Sequence, residues 1–96
     1  MQFGESIKEL RESLGLLQRQ LAASLEIDTP MYSKIERGER KAKREQVELL
    51  AELLQTDKLE LLSLWLSDQI INLVKDEPQA SKALKTALKE IQKDEH

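Results

Sequence analysis

Apolar residues in this 96-residue chain recur every three or four positions, the spacing of one helix face, and predict helices throughout. Phe3, Ile7, Leu10 and Leu14 predict a first helix over Gly4 to Leu14, stopped by Gly15 in the left-handed conformation. Leu17, Leu21 and Leu25, with Ala22 beside them, predict a second helix beginning at Gln18. Glu26 and Ile27 leave room only for a tight turn. The third helix is predicted over Thr29 to Arg37, ending at Gly38. Asp28 or Thr29 can cap it, and Pro30 fits its first turn, where a missing N–H has no helical partner. A basic loop follows, and Val47, Leu50, Leu53 and Leu54 mark a fourth helix.

Asp57-Lys58-Leu59-Glu60 has the form of a capping box and opens a fifth helix predicted to reach Lys75. Its apolar residues wrap more than one face. Asp76-Glu77-Pro78-Gln79 repeats the start signal, an acidic cap with Pro in the first turn. It predicts a sixth helix whose stripe is Ala80, Ala83, Leu84, Ala87, Leu88 and Ile91. The tail from Lys93 to His96 is predicted to fray. The fold class is therefore all-α, six helices with no strand and no internal repeat.

Composition narrows the class. Hydrophobic residues make up 40 % and charged residues 34 %, proportions of a folded chain rather than a disordered one. The apolar residues are mainly Leu, Ile and Ala and only 3 % of the chain is aromatic, which favours helix over sheet. No cysteine is present, so there is neither a disulfide framework nor a thiolate metal site. The amino-terminal residues lack the basic segment and apolar run of a signal peptide, and no apolar run suffices to span a bilayer. A cytoplasmic protein with no membrane association is expected.

Charge changes the picture more. The formal net charge is −3, yet Lys34 to Arg44 hold six cations (Lys34, Arg37, Arg40, Lys41, Lys43, Arg44) against Glu36 and Glu39. Residues 45–77, by contrast, hold two cations and eight acids. Nucleic-acid binding depends on where charge sits rather than on its total, and this chain is predicted to carry one positive and one negative face.

The second and third predicted helices, joined by a short turn, form a helix-turn-helix whose second member can lie in a DNA major groove. Tyr32 and Ile35 mark the buried side of that helix, with the Tyr32 hydroxyl expected at the rim. Opposite them lie Pro30, Ser33, Lys34 and Arg37, with Thr29 at the leading end. Hydroxyls and long cations on an outward face suit base edges and phosphates. Gln18, with Arg19 beside it, stands at the start of the second helix, where free N–H groups attract a phosphate. Arg40, Lys41, Lys43 and Arg44 flank the third helix as backbone-tracking groups.

Leu16-x-Gln18-x-x-Leu21-Ala22-x-x-Leu25 followed by Ile35-Glu36-x-Gly38 resembles the DNA-binding domain of phage Cro–CI repressors and Xre-type bacterial regulators. The resemblance covers Phe3 to Trp65. It implies a five-helix repressor-like DNA-binding domain, assigned to residues 1–66, with a C-terminal helical extension over 67–96. It further implies a phosphate contact by Gln18, base reading by Thr29, Pro30 and Lys34, and backbone contacts by Met31 and Arg37. An ion pair between Arg11 and Glu36 is implied as well. Two positions depart from the pattern. Glu26 stands where the family often has Gly, and Pro30 replaces a polar reader and can offer only apolar contact, to a thymine methyl.

One recognition helix covers only a few base pairs, and the usual solution is a two-fold dimer on a near-palindromic site. Leu64, Leu66, Ile70, Ile71, Leu73, Val74, Leu84, Leu88 and Ile91 are expected to form a homodimer interface and the small core beneath it. The alternative is that the sixth helix folds back within one chain. An enzyme is disfavoured: one terminal His and no Cys exclude most nucleophile–base pairs and metal sites, and no cofactor is expected. Trp65 is expected only to pack, and Lys82, Lys85, Lys89 and Lys93 to form a solvated face. The expected function is a sequence-specific DNA-binding transcriptional regulator. An antitoxin with a toxin partner, a restriction–modification controller, or a protein-interaction module on the same scaffold are the alternatives.

Overall fold

Six α-helices and no strand make up residues 2–95, which the computed structural model describes. They are α1 (Gln2–Ser13), α2 (Gln18–Ser24), α3 (Thr29–Glu36), α4 (Arg44–Leu53), α5 (Lys58–Val74) and α6 (Ala80–Asp94). The all-helical class predicted from periodicity is the one observed.

The first five helices each start on a specific acceptor, as unpaired N–H groups at a helix start require. The Asp28 carboxylate accepts the Met31 N–H at 2.7 Å, so Asp28 and not Thr29 caps α3. The Asp57 carboxylate accepts the Glu60 N–H at 3.1 Å and starts α5. At α2 and α4 the third helical residue turns back: Gln20 Oε1 accepts the Leu17 N–H at 2.7 Å, and Gln46 Oε1 accepts the Lys43 N–H at 2.8 Å. For α1 the acceptor comes from far away, the Asp68 carboxylate of α5.

Four helix ends share one stop. After each of α1 to α4 a residue with positive φ turns the chain, at Gly15 (71°), Glu26 (58°), Gly38 (76°) and Gln55 (55°). The next N–H reaches back to the carbonyl five residues earlier, in Leu16 to Arg11, Ile27 to Ala22, Glu39 to Lys34 and Thr56 to Ala51, at 2.9–3.0 Å. This double-bonded motif satisfies the last carbonyls of the helix. Glycine supplies the left-handed turn at two of the sites. Glu26 and Gln55 adopt it with side chains, at a cost of about 1–2 kcal/mol each.

The core lies among α1 to α5. Tyr32, Ile7, Leu21, Leu50, Leu54 and Val47 are fully buried at its centre. Tyr32 is buried to its tip, so its hydroxyl is not at the rim as expected. Gly4 lets α1 lie directly on the end of α3: a Cβ there would clash with the Glu36 carbonyl oxygen and sit 3.0 Å from that of Ile35. α5 runs unbroken through residues 66 and 67. Leu61, Leu62 and Asp68 are buried, and from Ile70 onward it projects beyond the core with no fully buried residue.

The sixth helix differs from its prediction at its start. The Asp76–Gln79 signal is not its cap. The Glu77 carbonyl accepts the Ala80 N–H at 3.1 Å, making Glu77–Ala80 a turn with Pro78 in its second position, and the helix begins only at Ala80. Proline suits that turn position as well as it suits a first helical turn, so the same residues fit either structure. The helix extends through Lys93 to Asp94, and His96 lies outside the described residues. No residue of α6 is buried.

Candidate nucleic-acid interface

Helices α2 and α3 meet across the Glu26 turn, and α3 turns Tyr32, Ile35 and Glu36 inward. Thr29, Pro30 and Lys34 are exposed on the other side, and Met31 and Ser33 are half-buried at its margins. Arg37 ends the helix. Its Nη1 donates to Ser33 Oγ at 2.6 Å, while Nε donates to Glu39 Oε2 at 2.7 Å. Glu39 is placed for this by the stop motif at Gly38, which pins its own N–H to the Lys34 carbonyl. The Arg37 guanidinium holds the Glu39 carboxyl below the usual range, and Glu39 in turn raises Arg37. Both side chains are more than half exposed, so the pair is open to competition from another anion.

Beneath this surface is a buried network. Arg11 Nε donates to Glu36 Oε2 at 2.7 Å and Nη2 to Oε1 at 3.1 Å, a bidentate fork tying α1 to the end of α3. Arg11 Nη1 also donates to the Leu16 carbonyl at 3.0 Å. Gln18 Nε2 donates to Glu36 Oε1 at 2.9 Å, so the first residue of α2 is oriented by the same carboxylate. Burial alone raises the Glu36 carboxyl, but the Arg11 fork, with the Tyr32 hydroxyl and Gln18 nearby, outweighs it and leaves the group below its ordinary value. Burial pushes the Tyr32 phenol far up, and the Glu36 charge adds to it. The Tyr32 hydroxyl itself closes no hydrogen bond.

The four loop cations are all exposed, and two of them lie on one side chain of α5. Ala42 is buried, and its carbonyl accepts the Trp65 indole N–H at 2.8 Å, pinning the loop to α5. Lys41 Nζ lies 5.9 Å and Arg44 Cζ 5.7 Å from the centre of the Trp65 ring, within cation–π range. Lys41 also donates to Gln69 Oε1 at 3.3 Å. Arg40 and Lys43 are exposed, as is Arg19 on α2.

Three contributions escaped the sequence. Lys8 of α1 joins Glu5, Gln18, Ser33, Glu36 and Arg37 around a polar depression between α1, α2 and α3. A lysine on a mixed helix face gives no sign of this. Glu39 counted only as an acid subtracting from the basic run, though an acid two residues after an arginine at a glycine stop is a usable signal. Trp65 was assigned to packing, and nothing local ties it to residues 23 positions away.

Along α5 and α6 an apolar surface is uncovered. Leu66, Ile70, Ile71 and Leu73 of α5 and Leu84, Leu88 and Ile91 of α6 are exposed, Leu73 at 81 % and Ile91 at 57 %. Val74 is half-buried, and Leu64 is half-buried against the core. Within the chain α6 does not fold back to cover its stripe. No helix of the described residues is long and apolar enough to cross a membrane.

A family model described as "Helix-turn-helix" matches residues 7–61, more than half of the chain. No curated protein and no solved structure matches it.

Proposed function

Since the chain belongs to the helix-turn-helix family of Xre and Cro–CI type, whose members are DNA-binding transcription regulators, we propose that it acts in the cytoplasm as a homodimer on a near-palindromic operator. In this assignment α3 enters the major groove. Thr29, Ser33 and Lys34 read base edges and Pro30 touches a thymine methyl. Gln18, Arg19, Met31, Arg37, Arg40, Lys41, Lys43 and Arg44 hold the sugar–phosphate backbone. The observation that carries it is the outer side of α3, where exposed Thr29, Pro30 and Lys34 stand opposite buried Tyr32 and Ile35.

Dimerisation through α5 and α6 is supported by the uncovered leucine and isoleucine stripe, too extended to be ordinary scattered surface. Two recognition helices about 34 Å apart then meet successive major grooves.

Selection from random duplexes, repeated at two salt concentrations, tests the whole assignment. A recovered half-site with inverted symmetry is expected, and Lys34→Ala should relax the preference at one position of it. Indifference to duplex DNA in dilute buffer refutes the assignment. Sedimentation tests the dimer separately: a monomer at micromolar concentration removes it and leaves a different protein partner, such as a toxin, to cover the stripe.

A further inference from the structure

The basic loop between α3 and α4 is attached to the rest of the protein through one side chain of α5. Trp65 is the sole tryptophan. It is half-buried and packed against the core. Its N–H holds the Ala42 carbonyl, and its ring carries Lys41 and Arg44, one from each side of Ala42 in sequence. Gln69, one turn further along α5, accepts from Lys41 and donates to the Trp65 carbonyl at 3.3 Å. Two cations that differ in shape and in backbone position therefore converge on one aromatic ring.

From this convergence we infer that Trp65 is a positioning residue for DNA binding, a platform that holds Lys41 and Arg44 in place to meet phosphates. The inference rests on the assignment of the loop to DNA. A lysine or arginine free in solvent loses rotamer freedom when it grips a phosphate, and that loss is subtracted from affinity. Cations already laid on a ring have lost part of it. Each ring contact occupies one side of the cationic head group and leaves its other N–H donors free, so a phosphate is gripped without breaking it. Trp65 thus acts through Lys41 and Arg44 and touches no nucleotide itself. Because it sits on α5, the helix that also carries Leu66 and Ile70, it joins the loop to the uncovered apolar face.

The test uses the full chain and the duplex recovered by selection. Saturation of the wild-type protein with duplex should shift the emission of its only indole as phosphates pair with the two cations on its ring, and in Lys41→Ala/Arg44→Ala that shift should vanish. Trp65→Leu should weaken binding about fivefold, equally for selected and random duplexes, the scale of one exposed cation–π contact or slightly more. In the Lys41→Ala/Arg44→Ala background the same replacement should cost nothing further, a coupling that mere destabilisation would not produce. The inference is overturned if wild-type emission is unchanged at saturation, or if the Trp65→Leu penalty persists without the two cations. If Trp65→Leu does not fold, the emission of the other two proteins decides alone. Failure of the wild-type chain to bind any duplex overturns the DNA assignment and this inference with it, whereas binding without coupling overturns this inference only.

Discussion

Asp68 and Phe3 are 65 positions apart in sequence, yet the Asp68 carboxylate accepts the Phe3 N–H at 2.8 Å and the Gln2 N–H at 3.2 Å. A side chain of α5 thereby does for α1 what Asp28 does locally for α3. The negative charge also lies at the positive end of the α1 dipole. Asp68→Ala should lower stability by about 1–3 kcal/mol, since it leaves N–H groups unpaired at a site where Asp68 is buried. Asp68→Asn, which keeps one acceptor oxygen, should cost less. Urea denaturation of the three proteins checks the order, and equal midpoints would contradict the capping role.

Gly4→Ala tests the seat of α1 on α3. In an ordinary helix the change is favourable by about 0.5–1 kcal/mol. Here the added methyl meets the Glu36 and Ile35 carbonyls, backbone atoms that cannot swing aside. A net loss of about 1–3 kcal/mol is expected, as for other overpacked sites. A thermal midpoint at or above that of the wild type would show that the helices separate at no cost.

Glu26→Gly and Gln55→Gly should act in the opposite direction. Each removes the cost of a side chain at φ near +55° to +58°, while glycine gives back part of the gain through its freer unfolded chain. A net stabilisation of about 0.5–1 kcal/mol per site is expected, and additive, because the two turns end different helices, α2 and α4. Calorimetry of the single and double variants measures it.

The Arg11–Glu36 fork predicts an acid limb. The carboxyl of Glu36 is held below its ordinary value of 4.5, so the folded state favours the charged form. Its contribution is complete above the unfolded value and declines as pH falls through the lower folded one. Stability should therefore begin to drop near pH 4.5 and continue downward. Glu36→Gln should flatten that part of the curve. At neutral pH it should also destabilise by about 3–5 kcal/mol, the usual cost of stranding one partner of a buried pair. A variant with the wild-type pH profile would show that another carboxylate sets the limb.

Glu39→Gln addresses the free surface. Releasing Arg37 makes a cation available for phosphate, so affinity for random duplex should rise and the salt dependence should steepen by about one unit. Unchanged slopes would mean that Arg37 stays on Ser33 whether or not Glu39 is charged.

Much of the fold is legible because helix signals are local. The spacing of Phe3, Ile7 and Leu10, the Asp57 cap and the glycine stops each act within one or two turns, and the helices they predict are present. What could not be read is long-range. Asp68 on the amino end of α1, Gly4 under the α3 carbonyls and Trp65 beneath the loop all join elements whose mutual placement no local pattern encodes. The start of α6 was misplaced for another reason, because Pro78 satisfies a β-turn and a helix start equally well. The candidate site divides in the same way. The outward side of α3 follows from periodicity, but the diversion of Lys41 and Arg44 to an indole, and of Arg37 to Glu39, depends on tertiary structure.

The uncovered leucines of α6 bear on how long a solitary copy survives. An unshielded apolar ridge adheres to its neighbours and invites proteolysis, so a copy with α6 uncovered should be removed faster than one with it covered. A copy that finds something to lie against should therefore outlast one that does not.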